Sequence, residues 1–438
     1  MSAEAEFIER VARRDVVVGV VGQGYVGLPL AVAFAQAGFR AVGFDVAVER
    51  IAALGQGHSH IEDIPDAVLG EVVAAGRYRA TAEVADLAAA DAVFISVPTP
   101  FDEHKVPDLS YVRAAAESVA RALHPGMLVV LQSTTYPGTT AEVVQPILEQ
   151  TGLKVGEDVF LAFSPERVDP GNTRWNVRNT PKVVGGTTPA CSAMAAALLD
   201  AVLVEPGGVT VLSSPDAAEM TKLLENTYRA VNIALVNELA MLCNEMGIDV
   251  WEVIAGAATK PFGFQPFQPG IGPGGHCIPV DPYYLSWRAR AFDFQTKFIE
   301  LAADTNLRMA QHVRTRVAAF LNDRGRSLRG TEVLVLGVAF KPNVSDVRNS
   351  RALRVVELLE EAGAVVRYSD PWVPSVVIDG IERKSTELTP EVLEGTDLVL
   401  VLVGHDEWPV ERLRGLTTPV FDAVNALGPP GRPDHERL

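Results

Sequence analysis

Val16-Val17-Val18-Gly19-Val20-Val21-Gly22-Gln23-Gly24-Tyr25-Val26-Gly27 is the stretch whose reading decides the fold. The run 16–21 is apolar and rich in β-branched residues, which suits a strand buried on both faces. Gly22, Gly24 and Gly27 follow at Gly-x-Gly-x-x-Gly spacing; the stretch 28–37 then has helical periodicity, and a second strand, 40–44, closes on Asp45. Strand, glycine turn, helix, strand, acid is the order of a dinucleotide-binding unit. The glycines let backbone N–H groups approach a pyrophosphate at the helix N-terminus, and the acid accepts from the ribose hydroxyls. Gly22, Gly24, Tyr25, Val26, Gly27 and Asp45 are therefore candidate cofactor contacts. A carboxylate at this place repels a 2′-phosphate, which favours NAD over NADP. Arg50 points the other way, since a guanidinium accepts that phosphate; its plainer reading is a solvated helix charge.

Three more buried strands are expected at 91–97, 127–132 and 160–163. They run into Thr99, Thr134 and the pair Glu166 and Arg167. Ligands of an open parallel sheet sit beyond the carboxyl ends of its strands, so these residues share one crevice; taken singly, each cluster also reads as an ordinary turn.

Ser214 and Pro215 have the form of a helix cap and first turn, opening a long helix to about Met246. Glu219, Lys222, Asn226 and Arg229 lie along one face of it, with Leu223, Leu224 and Val231 on the other. Such a stripe is either a solvated face or, against a crevice, a donor pair for an oxyanion in Lys222 and Asn226. The stretch 270–282 sets Cys277 among glycines and prolines, which excludes a helix or strand interior and calls for a shaped loop presenting a thiol, or an inert buried cysteine. A second long helical segment, 292–322, carries Phe298, Leu301, Ala302 and Leu307, and pairing with a second subunit is expected there.

A polar break at 324–330 precedes a second α/β unit, whose first strand runs through Gly337 into Phe340, Lys341 and Pro342 without a second glycine pair. Lys341 and Arg348 are candidate pyrophosphate contacts. The tail 428–438 is expected to be disordered. The fold class is α/β, two Rossmann-like doubly wound domains joined by a long-helix central region, with divisions at 1–212, 213–322 and 323–438.

With 438 residues, 48% hydrophobic and 21% charged, the chain is long enough for two or three cores. Its net charge of −17 excludes the basic footprint of a nucleic-acid binder. Three scattered cysteines form neither a disulfide framework nor a metal site. No leader or membrane-spanning run is legible, so the expected location is the cytoplasm, with no membrane partner.

Taken together, 21–29, 97–100, 133–140, 164–171, 219–226, 274–277 and 340–342 resemble the UDP-glucose/GDP-mannose dehydrogenase family, the nucleotide-sugar 6-dehydrogenases, over nearly the whole chain. The stretch 164–171 is similar to the bacterial UDP-N-acetylglucosamine branch; the glucose branch carries a second glutamate where this chain has Pro170. The resemblance implies a four-electron oxidation of a sugar C6 alcohol to a carboxylate with two NAD per turnover. It implies Cys277 as nucleophile and Lys222 and Asn226 as oxyanion donors. Asp281 helps to activate water, and Thr134 and Glu166 position it and assist proton transfer. It further implies Thr99 and Thr134 near NAD, and Glu166, Arg167, Lys222, Asn226, Gly274, Gly275, Phe340 and Lys341 around a nucleoside-diphosphate sugar. Arg348 is left open between the two pyrophosphates. A homodimer or higher homo-oligomer built on the central helices is also implied. UDP- or dTDP-glucose stands as the alternative substrate. A two-electron 3-hydroxyacid dehydrogenase or an NAD-binding sensor is a remoter reading, and neither has a use for the thiol together with a second α/β unit.

Overall fold

The computed structural model describes residues 2–102, 106–169, 171–172, 174–275 and 278–438. The chain divides into two compact units, Met1–Glu225 with Trp287–Phe294, and Asn226–Ser286 with Gln295–Leu438.

The first unit is built on eight strands: β1 (Val17–Val21), β2 (Arg40–Phe44), β3 (Tyr78–Thr81), β4 (Ala92–Ile95), β5 (Leu128–Leu131), β6 (Phe160–Phe163), β7 (Lys182–Gly186) and β8 (Val209–Leu212). Their order is β3-β2-β1-β4-β5-β6-β7-β8. The first six follow the doubly wound dinucleotide-binding order, whose crevice opens where the direction of winding reverses, between β1 and β4. β7 runs antiparallel to β6, and β8 parallel to β7. Strands β1, β4, β5 and β6 are buried along their full length, as their unbroken apolar runs require.

The second unit carries β9 (Glu332–Leu336), β10 (Val365–Ser369), β11 (Ser375–Ile378), β12 (Ile381–Lys384), β13 (Leu398–Val401), β14 (Val420–Asp422) and β15 (His435–Arg437). Five of them form a sheet of order β10-β9-β13-β14-β15, parallel throughout. Its winding reverses between β9 and β13, so the loops after these two strands frame the ligand side of this sheet. β11 and β12 make a separate antiparallel hairpin.

The two long helices are Pro215–Met246 and Lys297–Asn322. The first begins as expected, with Ala217 N–H donating to Ser214 Oγ at 3.2 Å. The second starts later than the sequence suggested, because Asp293 takes a left-handed conformation (φ 52°) that ends the preceding turn.

One other expectation is overturned. The tail is ordered: β15 pairs with β14, Glu436 and Asp434 meet Arg316 and Arg324, and the carbonyl of buried Leu438 accepts from Trp251 Nε1 at 2.8 Å. Its polar composition hid an edge strand anchored by ion pairs and one apolar residue. Of the two readings of the polar stripe on the helix Pro215–Met246, the solvated face does not hold for three of its four residues. Glu219, Lys222 and Asn226 are buried, whereas Leu224 is 62% exposed. Arg229 is exposed.

Candidate functional site

In the first unit the glycine turn has the form a cofactor needs. Gly22 has φ 90°, and a Cβ there would meet Ser96 O at 2.5 Å. A Cβ at Gly27 would meet Gly22 O at 1.8 Å, so that glycine is required by the close packing of helix on turn. Gly24 differs, since a Cβ on it would meet nothing within 4 Å. The protein therefore leaves open the space above Gly24, where a pyrophosphate approaches the backbone. The helix Gly27–Gln36 has no side-chain cap and no acid in its first turn, so its N-terminal N–H groups face that space without a competing anion. The residues present fit NAD.

Asp45 is buried at the end of β2. Its Oδ2 accepts from Gln23 N at 2.8 Å and Arg50 Nη1 at 2.9 Å, and its Oδ1 from Ala47 N at 2.9 Å. Gln23 itself is wholly buried and turned inward, accepting from Tyr78 Oη at 2.8 Å. Burial pushes the Tyr78 phenol well above its ordinary range. Tyr25 and Val26 complete the turn, Tyr25 45% exposed.

Beyond the carboxyl ends of the strands lies a buried polar ladder. Ser96, after β4, donates to Gln132 Oε1 at 2.7 Å, and Gln132, after β5, donates to Glu166 Oε2 at 3.2 Å. Glu166 Oε1 accepts from Arg167 N at 2.7 Å and Val168 N at 2.9 Å. Lys182, at the start of β7, brings its Nζ to 3.7 Å from Glu166 Oε2. Lys222 donates to the backbone carbonyl of Glu166 at 2.8 Å, and Arg167 pairs with Glu225 at 2.7 Å. The carboxylate of Glu166 is thus turned toward Gln132 and Lys182, while its carbonyl meets Lys222. Thr99 is buried and Thr134 partly exposed at the ends of β4 and β5.

One turn before Lys222, Glu219 accepts from Gly138 N (2.7 Å), Thr140 N (2.9 Å) and Thr140 Oγ1 (2.7 Å). It ties the segment after Thr134 to the long helix. Burial pushes this carboxyl up to about 7, the hydrogen bonds from Thr140 and Gly138 offsetting only part of the desolvation.

In the second unit Asn226 Nδ2 donates to Asp281, which is 1% exposed and opens the helix Asp281–Ala289. Cys277 and His276 lie outside the described residues, but the glycines just before them do not. A Cβ at Gly274 would meet Asn349 O at 2.9 Å, and one at Gly275 (φ 81°) would meet Phe340 Cε2 at 2.8 Å. Gly275 N–H donates to Arg348 O at 3.1 Å, and Asn349 Nδ2 donates to Gly275 O at 3.1 Å. These glycines are required because the loop packs against the segment that follows β9. Gly274, Gly275, Phe340 and Arg348 are thereby brought together, with Lys341 Nζ 5.6 Å from the Phe340 ring centre. The Arg348 guanidinium is held by Asp346 at 2.6–3.0 Å.

Among the described residues, no group of His, Cys, Asp and Glu has the arrangement of a metal site. Sequence reasoning missed Gln132, Lys182 and Asp370 with His405, the last two considered below. Only Asp370 left a signal, as an acid closing the second strand of its unit, where Asp45 closes the second strand of the first.

Three family models match this chain: the NAD-binding domain of the UDP-glucose/GDP-mannose dehydrogenase family at residues 16–202, its central domain at 216–308 and its UDP-binding domain at 334–429. The chain belongs to the UDP-glucose/GDP-mannose dehydrogenase family. It is an NAD-dependent oxidoreductase acting on nucleotide sugars. It is 40% identical over 361 residues to a UDP-N-acetyl-D-glucosamine 6-dehydrogenase of Pseudomonas aeruginosa, covering 82% of this chain and 84% of that one. The structure of the UDP-D-ManNAc dehydrogenase from Pyrococcus horikoshii superposes with a TM-score of 0.87 at 33% identity, covering 96% of this chain and 99% of the other. That of an NDP-N-acetyl-D-galactosaminuronic acid dehydrogenase from Methanosarcina mazei Go1 gives 0.80 at 33%, covering 97% and 94%. No helix among the described residues is long and apolar enough to cross a membrane.

Proposed function

We propose that this enzyme oxidises the C6 alcohol of a UDP-N-acetylhexosamine, foremost UDP-N-acetylglucosamine, to the carboxylate through a thioester on Cys277. The observation that carries the proposal is the anchoring of Gly274 and Gly275, directly before the thiol, on the Phe340–Arg348 segment of the same unit. It supports a thiol held close to the residues assigned to the sugar nucleotide. Two of the relatives named above are, by their names, dehydrogenases of UDP-N-acetylhexosamines and the third of an NDP-N-acetylgalactosaminuronic acid, and Pro170 stands where the glucose branch has a second glutamate.

When bound, NAD supplies the hydride acceptor for each of the two oxidations. Gly22, Gly24, Tyr25, Val26, Gly27, Asp45 and Arg50 hold it, with Thr99 and Thr134 on its nicotinamide side. Cys277 adds as thiolate to the aldehyde carbon, and the resulting thiohemiacetal becomes a thioester on the second oxidation. Lys222 and Asn226, one helical turn apart, donate to the oxyanion. Asp281, held by Asn226, accepts a proton from the attacking water that Thr134 helps to position. Glu166, with both oxygens already accepting, orders the loop that carries Arg167 and the carbonyl partner of Lys222. Lys341 neutralises the sugar nucleotide's diphosphate and Phe340 borders the thiol loop. In this reading residues 1–212 bind NAD, 213–322 carry the thiol and the subunit contact, and 323–438 bind the nucleotide, in a cytoplasmic enzyme.

A homodimer is part of the proposal. Leu235, Leu239, Leu242 and Met246 recur on one face of the long helix and are 55%, 38%, 52% and 60% exposed. An apolar strip of that length is what a second copy of the helix covers.

The test is stoichiometry over a substrate panel. UDP-N-acetylglucosamine, its manno and galacto epimers, UDP-glucose and dTDP-glucose are each turned over to completion. The expected result is two NADH per uronic acid, fastest with an N-acetylhexosamine. One NADH with a released aldehyde would overturn the thioester route, and preference for UDP-glucose would overturn the substrate.

A further inference from the structure

The two α/β units repeat one hydrogen-bonded device, and they differ in the further donors to its acid, two backbone N–H groups and His405 in the second unit. In the first unit Gly22 (φ 90°) donates to Phe44 O at 2.8 Å, Gln23 N to Asp45 Oδ2 at 2.8 Å, and Ala47 N to Asp45 Oδ1 at 2.9 Å. In the second, Gly337 (φ 87°) donates to Ser369 O at 2.9 Å, Val338 N to Asp370 Oδ2 at 2.7 Å, and Trp372 N to Asp370 Oδ1 at 2.9 Å. Asp370 therefore occupies, atom for atom, the place from which Asp45 faces a ribose.

Asp370 has nothing left to offer one. It also accepts from Ala339 N and Val373 N, each at 3.1 Å, and from His405 Nε2 at 3.1 Å. A carboxylate has about four lone-pair sites, and five donors exhaust them. Both side chains of the Asp370–His405 pair are 0% exposed. Burial alone would raise the Asp370 carboxyl; His405 and the backbone donors outweigh it and hold the group below its ordinary value. The partner that takes the place of His405 on Asp45 is Arg50, whose side chain is 39% exposed and free to swing aside.

The second nitrogen of His405 has a separate task. Nδ1 accepts from Asn343 N at 3.0 Å, so the ring hydrogen sits on Nε2 and is donated to Asp370. Asn343 is in a left-handed conformation (φ 59°) and exchanges two bonds with Asp406, Asn343 Nδ2 to Oδ2 at 2.8 Å and Asp406 N to Asn343 Oδ1 at 3.0 Å. The imidazole thus bridges the acid after β10 and the turn that immediately follows Phe340, Lys341 and Pro342. Trp408 packs edge-on against it, ring centres 5.3 Å apart.

We propose that His405 is a specificity-determining positioning residue. It fills the seat from which a dinucleotide's ribose would be bound in the second unit, and it fixes the Lys341 turn so that this unit takes a nucleoside diphosphate instead. The inference rests on the assignment of Lys341 to the sugar nucleotide.

The experiment measures UDP and NAD affinity by titration calorimetry, with KM and kcat for the sugar nucleotide, in H405F, H405N, H405Q and K341A. H405F keeps ring volume but leaves the Asn343 N–H without its acceptor and removes one of the five donors to Asp370; UDP affinity falls about tenfold, the weight of one to two hydrogen bonds, with KM rising in parallel. NAD affinity and kcat at saturating sugar nucleotide change by less than about twofold, a split that general loss of structure does not produce. H405Q, whose amide both donates and accepts, recovers most of the loss. Should H405F fail to fold, H405N decides: its shorter amide cannot span Asp370 Oδ2 and the Asn343 N–H together, and UDP affinity falls while NAD affinity holds. Unchanged UDP affinity in folded H405F or H405N, or an equal loss for NAD, overturns the role of His405. If K341A leaves UDP affinity unchanged, the assignment of Lys341 is what has failed.

Discussion

Lys182 Nζ stands 3.7 Å from Glu166 Oε2 with 1% and 9% of the two side chains exposed, and it makes no hydrogen bond among the described residues. A buried cation held by charge alone is costly to keep and costlier to orphan, because removing either partner leaves the other desolvated. The pair closes the ladder Ser96, Gln132, Glu166 on its far side, and so fixes the loop whose carbonyl meets Lys222.

K182M is accordingly expected to lower unfolding stability by about 3–5 kcal/mol, and K182M with E166Q by clearly less than the sum of the single changes. Urea unfolding of the four proteins measures this, and strict additivity would show that the pair is not coupled.

Glu219 should give stability a pH dependence. Its folded value, about 7, lies above the ordinary 4.5, so its stabilising contribution is complete below pH 4.5 and is lost as pH rises through about 7. E219Q removes the titration. Thermal melts across that window should therefore have a shallower slope in E219Q than in the wild type, whatever the change in absolute Tm; parallel slopes would assign the dependence elsewhere.

Asp45 is predicted to serve NAD and not the sugar nucleotide. D45A should weaken NAD binding by about 1–3 kcal/mol, some ten- to hundredfold in Kd, and leave UDP binding unchanged. Titration of each ligand separately reads the two effects, and a comparable loss of UDP affinity would contradict the assignment.

Cys277→Ala should reduce uronic acid formation by about a thousandfold or more while NAD still binds. Mass spectrometry of the quenched wild-type enzyme should find the covalent sugar adduct on the peptide containing Cys277, and an adduct surviving in C277A would place the nucleophile elsewhere.

L235E with L242E puts two charges on the exposed apolar strip. Light scattering should show the proposed dimer converted to monomer, with the far-UV circular dichroism unchanged. A dimer that persists would locate the subunit contact on another face.

The dinucleotide unit was legible because its signals are local. Glycines at 22, 24 and 27 and an acid at 45 fall within one strand–turn–helix–strand unit, and their roles follow from backbone sterics that neighbours in sequence impose. The long helix and its cap were legible for the same reason. The orientation of that helix was not: Glu219, Lys222 and Asn226 read equally as a solvated stripe or a crevice-lining face, and their partners Gly138, Thr140, Glu166 and Asp281 decide for burial. The tail failed likewise, its order coming from Trp251, Arg316 and Arg324 rather than from its own composition.

By itself, then, the sequence determined the α/β class, the glycine turn and its NAD preference, and the family to which the chain belongs, since each rests on residue types at short fixed spacing. Tertiary structure alone decided that Glu166 faces Lys182, that Glu219 is buried, and that His405 takes the seat beside Asp370. Those are choices about which distant side chains share a desolvated space, and burial and hydrogen-bond satisfaction settle them only once the sheets are assembled.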